Sequence, residues 1–130
     1  MLEEITDALR ALQDEIPGLQ VSAYWIDNPS PPCIDFYPAT LFQEGAALPA
    51  GQNLVHFVVR ARVAMADPVA GQQLLYRLLD PMDAASVELA LAEADCVVGP
   101  EGVAGFTQYA DDANSNERLL GCEWRVSRFL

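Results

Sequence analysis

The longest readable pattern in the chain is a strict alternation. Val55, Phe57, Val59, Ala61, Val63 and Met65 interleave with Leu54, His56, Val58, Arg60, Arg62 and Ala64, the period of two expected of a strand with one face in a core. The second set is partly basic. Asp67 and Pro68 follow, a side chain able to accept from free backbone N–H groups and a residue whose missing donor costs nothing in a first helical turn, so a helix is expected to start there. Leu75, Leu78 and Leu79 form its apolar stripe, and Asp80-Pro81 stops it, because a residue before proline is pushed out of the α region. Ser86 to Ala94 then reads as a shorter helix carrying Val87, Ala90, Leu91 and Ala94.

The same reasoning extends outward from this centre. Leu2, Ile5, Leu9, Leu12 and Ile16 share one face of an opening helix, with Glu3, Glu4 and Asp7 near its positive N-terminal end and Pro17-Gly18 as its terminator. Leu19 to Ile26 is a strand, Asp27 to Pro32 a rigid loop, and Ile34 to Leu41 an interrupted strand in which Pro38 implies an edge or a bulge. Gln43 to Asn53 is a long excursion. Gly99 to Gly105 is a turn region, Val103 to Tyr109 a strand, Ala110 to Glu117 a polar loop, and Leu119 to Phe129 the closing strand. With no internal repeat or linker, the expectation is a single domain over residues 1–130: α+β, a four- to five-stranded, mainly antiparallel and possibly mixed sheet with about three helices packed on it. The sheet's second face needs cover, from the first helix or from a neighbouring subunit.

Charge changes the picture of partners. Nineteen acidic side chains face seven basic ones, all arginine, for a formal net charge of −12. A DNA-holding protein needs a basic stripe to displace counterions, and Arg60 with Arg62 is the only close pair, so specific nucleic-acid binding is disfavoured. Acidic walls would suit a passage through which DNA slides, and they also suit any soluble protein. Hydrophobic residues make up 52% of the chain. Trp25, Phe36, Tyr37, Leu41, Phe42, Phe106, Tyr109 and Phe129 exceed what one small core takes; either a subunit interface absorbs the surplus or the rings are scattered over the surface. The acidic first sixteen residues do not read as a secretion signal, and no apolar run reaches the length of a membrane span. Synthesis in a cytosol follows.

Little in the chain suggests bond-making chemistry. One histidine limits both nucleophile–base pairs and metal sites, and His56 points away from the core on the strand pattern. Cys33, Cys96 and Cys122 lack the spacing of a disulfide framework or zinc site, and Cys122 alternates with Trp124 and Val126 as a buried thiol. Asp111 and Asp112 are a weak cue for a hard cation, and among Asn114, Ser115 and Asn116 they read better as a solvated loop. Gly99, Gly102 and Gly105 lack the lysine or serine of a phosphate loop. No enzyme, metal or cofactor is expected. Asn28, Pro29, Pro31 and Pro32 form either a stiff docking element or a plain connector. Phe36, Tyr37, Leu41 and Phe42 offer a second candidate subunit or tube interface. A cytosolic ligand-binding domain, with Trp25, Phe57 and Trp124 around a pocket, is the reading from another class.

Leu-Leu-Tyr-Arg-Leu-Leu-Asp-Pro at 74–81 and Ala-Ser-Val-Glu-Leu-Ala-Leu at 85–91, together with Leu19 to Trp25, the proline-rich turn Asn28 to Pro32 and the strand Gly121 to Val126, resemble the tail-terminator or neck proteins of long-tailed actinobacteriophages. The likeness spans roughly two thirds of the chain and departs from the family's pattern over Phe36 to Asn53 and Ala110 to Glu117. It implies a structural virion protein that closes the tail tube as a six-membered homo-oligomeric ring. Its implied partners are the major tube protein and a head–tail connector or stopper, with genome DNA passing without specific binding. On that reading Asp111 and Asp112 would form an acidic collar on the lumen. A head-side neck or stopper role fits the same residues.

Overall fold

The computed structural model describes residues 1–26, 30–44, 53–110 and 118–129. Nine elements follow in chain order: α1 (Leu2–Arg10) continued by a 3-10 turn (Ala11–Asp14), β1 (Gln20–Ser22), β2 (Cys33–Glu44), β3 (Leu54–Ala64), α2 (Pro68–Leu79), α3 (Val87–Glu93), β4 (Val97–Ala110) and β5 (Arg118–Phe129). The five strands form one mixed sheet in the order β1-β2-β3-β5-β4. β1 runs parallel to β2 and every other pairing is antiparallel. The expected α+β class and strand number are found.

β3 is the spine of this sheet. Its alternation is realised across both neighbours: Phe57, Val59 and Ala61 stand opposite Val126, Trp124 and Cys122 of β5, and Val59 and Ala61 also face Phe36 and Ile34 of β2. These residues join Ile5 and Leu9 of α1, Leu75 and Leu78 of α2, and Val87 and Leu91 of α3 in a single buried cluster. All three helices therefore cover the same face of the sheet, and α1 does not close the other one. Trp124 and Phe36 are fully buried at the centre, and the Phe57 ring meets Phe36 and Phe42 edge-on, with centroids 5.9 and 5.4 Å away.

The helix boundaries follow the local chemistry. Asp67 accepts from the Ala70 N–H at 3.1 Å, Pro68 occupies the first turn, and Asp80 ends α2 in an extended conformation before Pro81. Ser86 caps α3 through the Leu89 N–H at 3.2 Å. After the 3-10 turn the chain reverses at Gly18, whose φ of +82° lies in the left-handed region that disfavours side chains. Leu19 to Ile26 is mostly not strand; only three residues pair with β2 before the chain leaves the sheet edge.

Two strands run further than expected, and of the expected excursion Gln43 to Asn53 residues 45–52 lie outside the described residues. β2 runs on through Glu44, and the register between β2 and β3 slips between Pro38 and Gln43, beyond the end of β1. Pro38 thus sits at an open edge beside an irregularity, where its missing donor is tolerated. Gly99, Gly102 and Gly105 lie in β4, where the register against β5 shifts twice, between Val98 and Val103 and between Ala104 and Thr107. Glycines at bulges interrupt a ladder without ending it, which explains why the composition reads as turns.

Gly71 lets α2 approach β3. A Cβ there would stand 2.8 Å from the Ala64 carbonyl oxygen and 3.3 Å from Val63. Gly71→Ala is expected to lose about 1–3 kcal/mol despite alanine's better helix propensity, because backbone cannot yield as a side chain can. Chemical denaturation would measure it. Asp67→Ala should lose about 1 kcal/mol by leaving the first turn uncapped.

Candidate functional site

The sheet face away from the helices carries the molecule's polar centre. Alternation along β3 puts Val58, Arg60 and Arg62 there, and the registers build rows across three strands: Tyr37–Val58–Arg125, Asp35–Arg60–Glu123 and Cys33–Arg62–Gly121. Asp35, Arg60 and Arg62 are all buried. Arg60 donates side-on to both Asp35 oxygens, Nε to Oδ1 at 3.0 Å and Nη2 to Oδ2 at 2.6 Å, and Arg62 Nη2 reaches Oδ2 at 3.3 Å. A bidentate guanidinium–carboxylate pair of this kind combines charge with fixed geometry.

The connection between β1 and β2 crosses this face. Two adjacent parallel strands cannot be joined by a hairpin, and of their connection the described Trp25 and Ile26 lie over this face. The cluster pins it as it crosses. The Ile26 N–H donates to Asp35 Oδ2 at 2.9 Å, and the Ile26 carbonyl accepts from Arg62 Nη2 at 2.9 Å and Arg60 Nη2 at 3.4 Å. Trp25 lies over the Arg60 guanidinium, 4.2 Å from ring centre to carbon, and against Tyr37 with centroids 4.6 Å apart. Tyr37 Oη donates to Glu123 at 3.5 Å, and burial, with Glu123 adding to it, pushes the phenol above its ordinary value. Trp25 nevertheless remains 54% exposed.

No family model matches the sequence. No curated protein matches it either. Chemistry must therefore be read from the arrangement itself, and among the described residues no three histidine, cysteine, aspartate or glutamate side chains gather as a metal site. A shallow groove of about 400 Å³ runs between Leu2–Arg10 of α1 and Ala23–Tyr24, away from the buried cluster. No described helix is long and apolar enough to cross a membrane.

The sequence-predicted residues do not converge on one surface. Phe36 is fully buried on the helix side, so it is core and not an exposed contact; it alternates with Tyr37, which faces the other way. Phe42 is half-buried against Phe57, and a charge there would cost folding before it tested assembly. Leu41 lies within β2, in the strand expected there. Pro31 and Pro32 are half-buried at the entry to β2, where the Pro32 carbonyl accepts from the Gln20 N–H at 3.0 Å. Asn28, Pro29, Asp111 and Asp112 lie outside the described residues. His56 does point away from the core, its Nδ1 2.8 Å from Ser127 Oγ. Trp25 stands on the face opposite Phe57 and Trp124, so these three rings line no common pocket.

Asp35 went unsingled in the sequence, and its partners were legible only as a basic pair. The signal was present: Cys33, Asp35 and Tyr37 share one strand face, as Arg60 and Arg62 do. Charges at alternate positions on two strands become a buried network once the strands pair in register. Asp35→Ala would leave two arginines buried without their carboxylate and should destabilise by roughly 3–5 kcal/mol, whereas replacing all three by apolar residues of similar volume should recover most of that loss. Urea denaturation of the single and triple variants reads both.

The three cysteines are all free and buried. Burial pushes Cys33 and Cys96 up, and Cys122 up to about 12 from an ordinary 9.0. Below pH 9 these thiols are protonated folded or unfolded; above it the unfolded chain ionises and the native Cys122 does not. Stability is therefore expected to fall as pH rises through that window, less steeply in Cys122→Ala. In native protein a disulfide reagent should label the thiols only at the rate of opening.

Proposed function

We propose that this chain is a non-enzymatic structural subunit of a long-tailed phage virion. It would be a tail terminator, assembled in the host cytoplasm, that closes the finished tail tube as a six-membered ring and presents the surface for the head connector. The observation that carries most weight is that the core of the resemblance, residues 74–81 and 85–91, folds as one helical pair: the end of α2, the Asp80-Pro81 stop and the Ser86-capped α3. A motif shared only by composition would not need those caps at those positions.

Two further features support the reading. Among the described residues all the helices lie on one face of the sheet, and on the opposite side Trp25 and Phe129 are more than half exposed. A net charge of −12 suits a wall past which DNA must slide without sticking. The mechanism would be geometric. One side of the ring matches the last ring of tube protein, and the other no longer offers the site for another tube subunit. A head-side neck or stopper role draws on the same features.

Electron microscopy of the purified protein mixed with tail tubes separates the outcomes. Six-fold rings capping tube ends are expected; particles that ignore tubes but bind the portal side of filled heads would transfer the role to the head side, and binding to neither would remove the virion reading. On the same reading, Asp111→Lys with Asp112→Lys should slow genome passage, visible as assembled virions that eject DNA poorly.

A further inference from the structure

The groove of about 400 Å³ beside α1 has a floor and a rim of different chemistry. Leu2, Thr6 and Ala23 are buried or half-buried and form its floor; Glu3, Asp7, Arg10 and Tyr24 are exposed and form its rim. Glu3, Thr6, Asp7 and Arg10 share one stripe of α1, at the three- and four-residue spacing that sets helix side chains over one another. Tyr24 faces them from the end of β1. It is 72% exposed, yet its backbone is fixed, because the Ser22 hydroxyl accepts from the Tyr24 N–H at 3.1 Å and donates to the Tyr24 carbonyl at 3.0 Å. An aromatic ring on an ordered backbone has little freedom left to lose when something packs on it.

The polar lining consists mainly of acceptors. Thr6 Oγ1 donates its proton to the Leu2 carbonyl at 2.7 Å and keeps only lone pairs for the groove. Glu3 and Asp7 are carboxylates, and the ion pairs among the described residues use Glu4, Glu15, Asp35 and Asp83 but neither of these two. Arg10 stands about 10 Å along the helix from Glu3, at the end where its charge suits the helix dipole. The next residue in the chain shows what such a setting holds. Trp25 carries the Arg60 guanidinium 4.2 Å from its ring centre, and Asp35 neutralises that cation. Tyr24, turned to the α1 side, offers a ring beside carboxylates in the same way, with no described cation upon it.

We propose that this groove seats one basic side chain, a lysine or arginine presented by an apolar segment of a partner protein. The cation lies between the Tyr24 ring and the Glu3 and Asp7 carboxylates, and its apolar neighbours rest on Leu2 and Ala23. A net charge of −12 draws such a partner from a distance; the ring and the apolar floor select it at contact. Arg10 limits the seat to a single cation, since a second one further along would meet a like charge. The inference goes beyond the ring reading and does not depend on it.

Amide NMR of the full chain, titrated with the peptide acetyl-Ala-Leu-Arg-Leu-Ala-amide, tests it. Shifts confined to residues 2–10 and 23–25, at roughly millimolar affinity, are expected, and none when glutamine replaces the peptide's arginine. Glu3→Gln with Asp7→Asn should weaken binding about tenfold, and Tyr24→Ala about threefold to fivefold. Arg10→Gln should tighten it about twofold at low salt, where the like charge is least screened. These four side chains are exposed, so the variants keep the fold. No shifts with the arginine peptide, shifts spread over the acidic residues of all three helices, or equal binding of the glutamine peptide would overturn the proposal. Tighter seating of spermidine in the same groove would overturn it as well, because a polycation without apolar neighbours should be the poorer fit. None of these outcomes touches ring formation, which electron microscopy reads separately.

Discussion

Asp35 is the point on which one whole side of the molecule depends. Its two oxygens hold two arginines of β3 and a backbone N–H of the β1–β2 connection, so a single carboxylate ties together the sheet spine and the chain that crosses it. Burying two cations with one anion is costly, and the Ile26 carbonyl offsets part of that cost as a second acceptor, while Arg62 Nε is buried with no acceptor among the described residues. Trp25 and Tyr37 then complete the enclosure from above. The network contributes geometry more than stability, because it fixes where a half-exposed tryptophan stands.

The helix side is organised by different physics. There the alternation of β3 and β5 meets helical stripes, and the contacts are apolar and non-directional. Close approach matters more than charge, as Gly71 against the Ala64 carbonyl makes plain. Peripheral ion pairs fasten the margins. Arg128 pairs with Glu4, whose carboxyl it holds below the usual range, and Arg77 reaches Asp83 and Glu15. These are exposed pairs of modest worth. The two sides of one sheet are thus held by unlike forces, and they present unlike surfaces to whatever lies outside.

Where local chemistry decides, the sequence was readable: the Asp67 and Ser86 caps, the Asp80-Pro81 stop and the alternation of β3 and β5 all fall where composition places them. Legibility failed where pairing decides. Phe36 reads as an interface aromatic of an interrupted strand, yet register against Val59 makes it core. The glycines of 99–105 read as turns because bulges and turns draw on the same residue types. Asp35 carried no motif, since its charge becomes structural only through two residues of β3, 25 and 27 positions distant.

The strand order also sets a sequence of events for the newborn chain. β3 and β4 lie parallel, joined through α2 and α3, and β5 fills the gap between them. The central hydrogen-bond ladders, and the burial of Trp124, Cys122 and Val126, therefore wait for the strand that is synthesised last of the nine elements. Until it arrives, the best hydrophobic strand of the protein has an open flank. Such a chain depends on distant contacts, folds late relative to its synthesis, and is most prone to sticking to its own copies in that interval. A protein made in few copies tolerates that hazard more readily than one made in bulk.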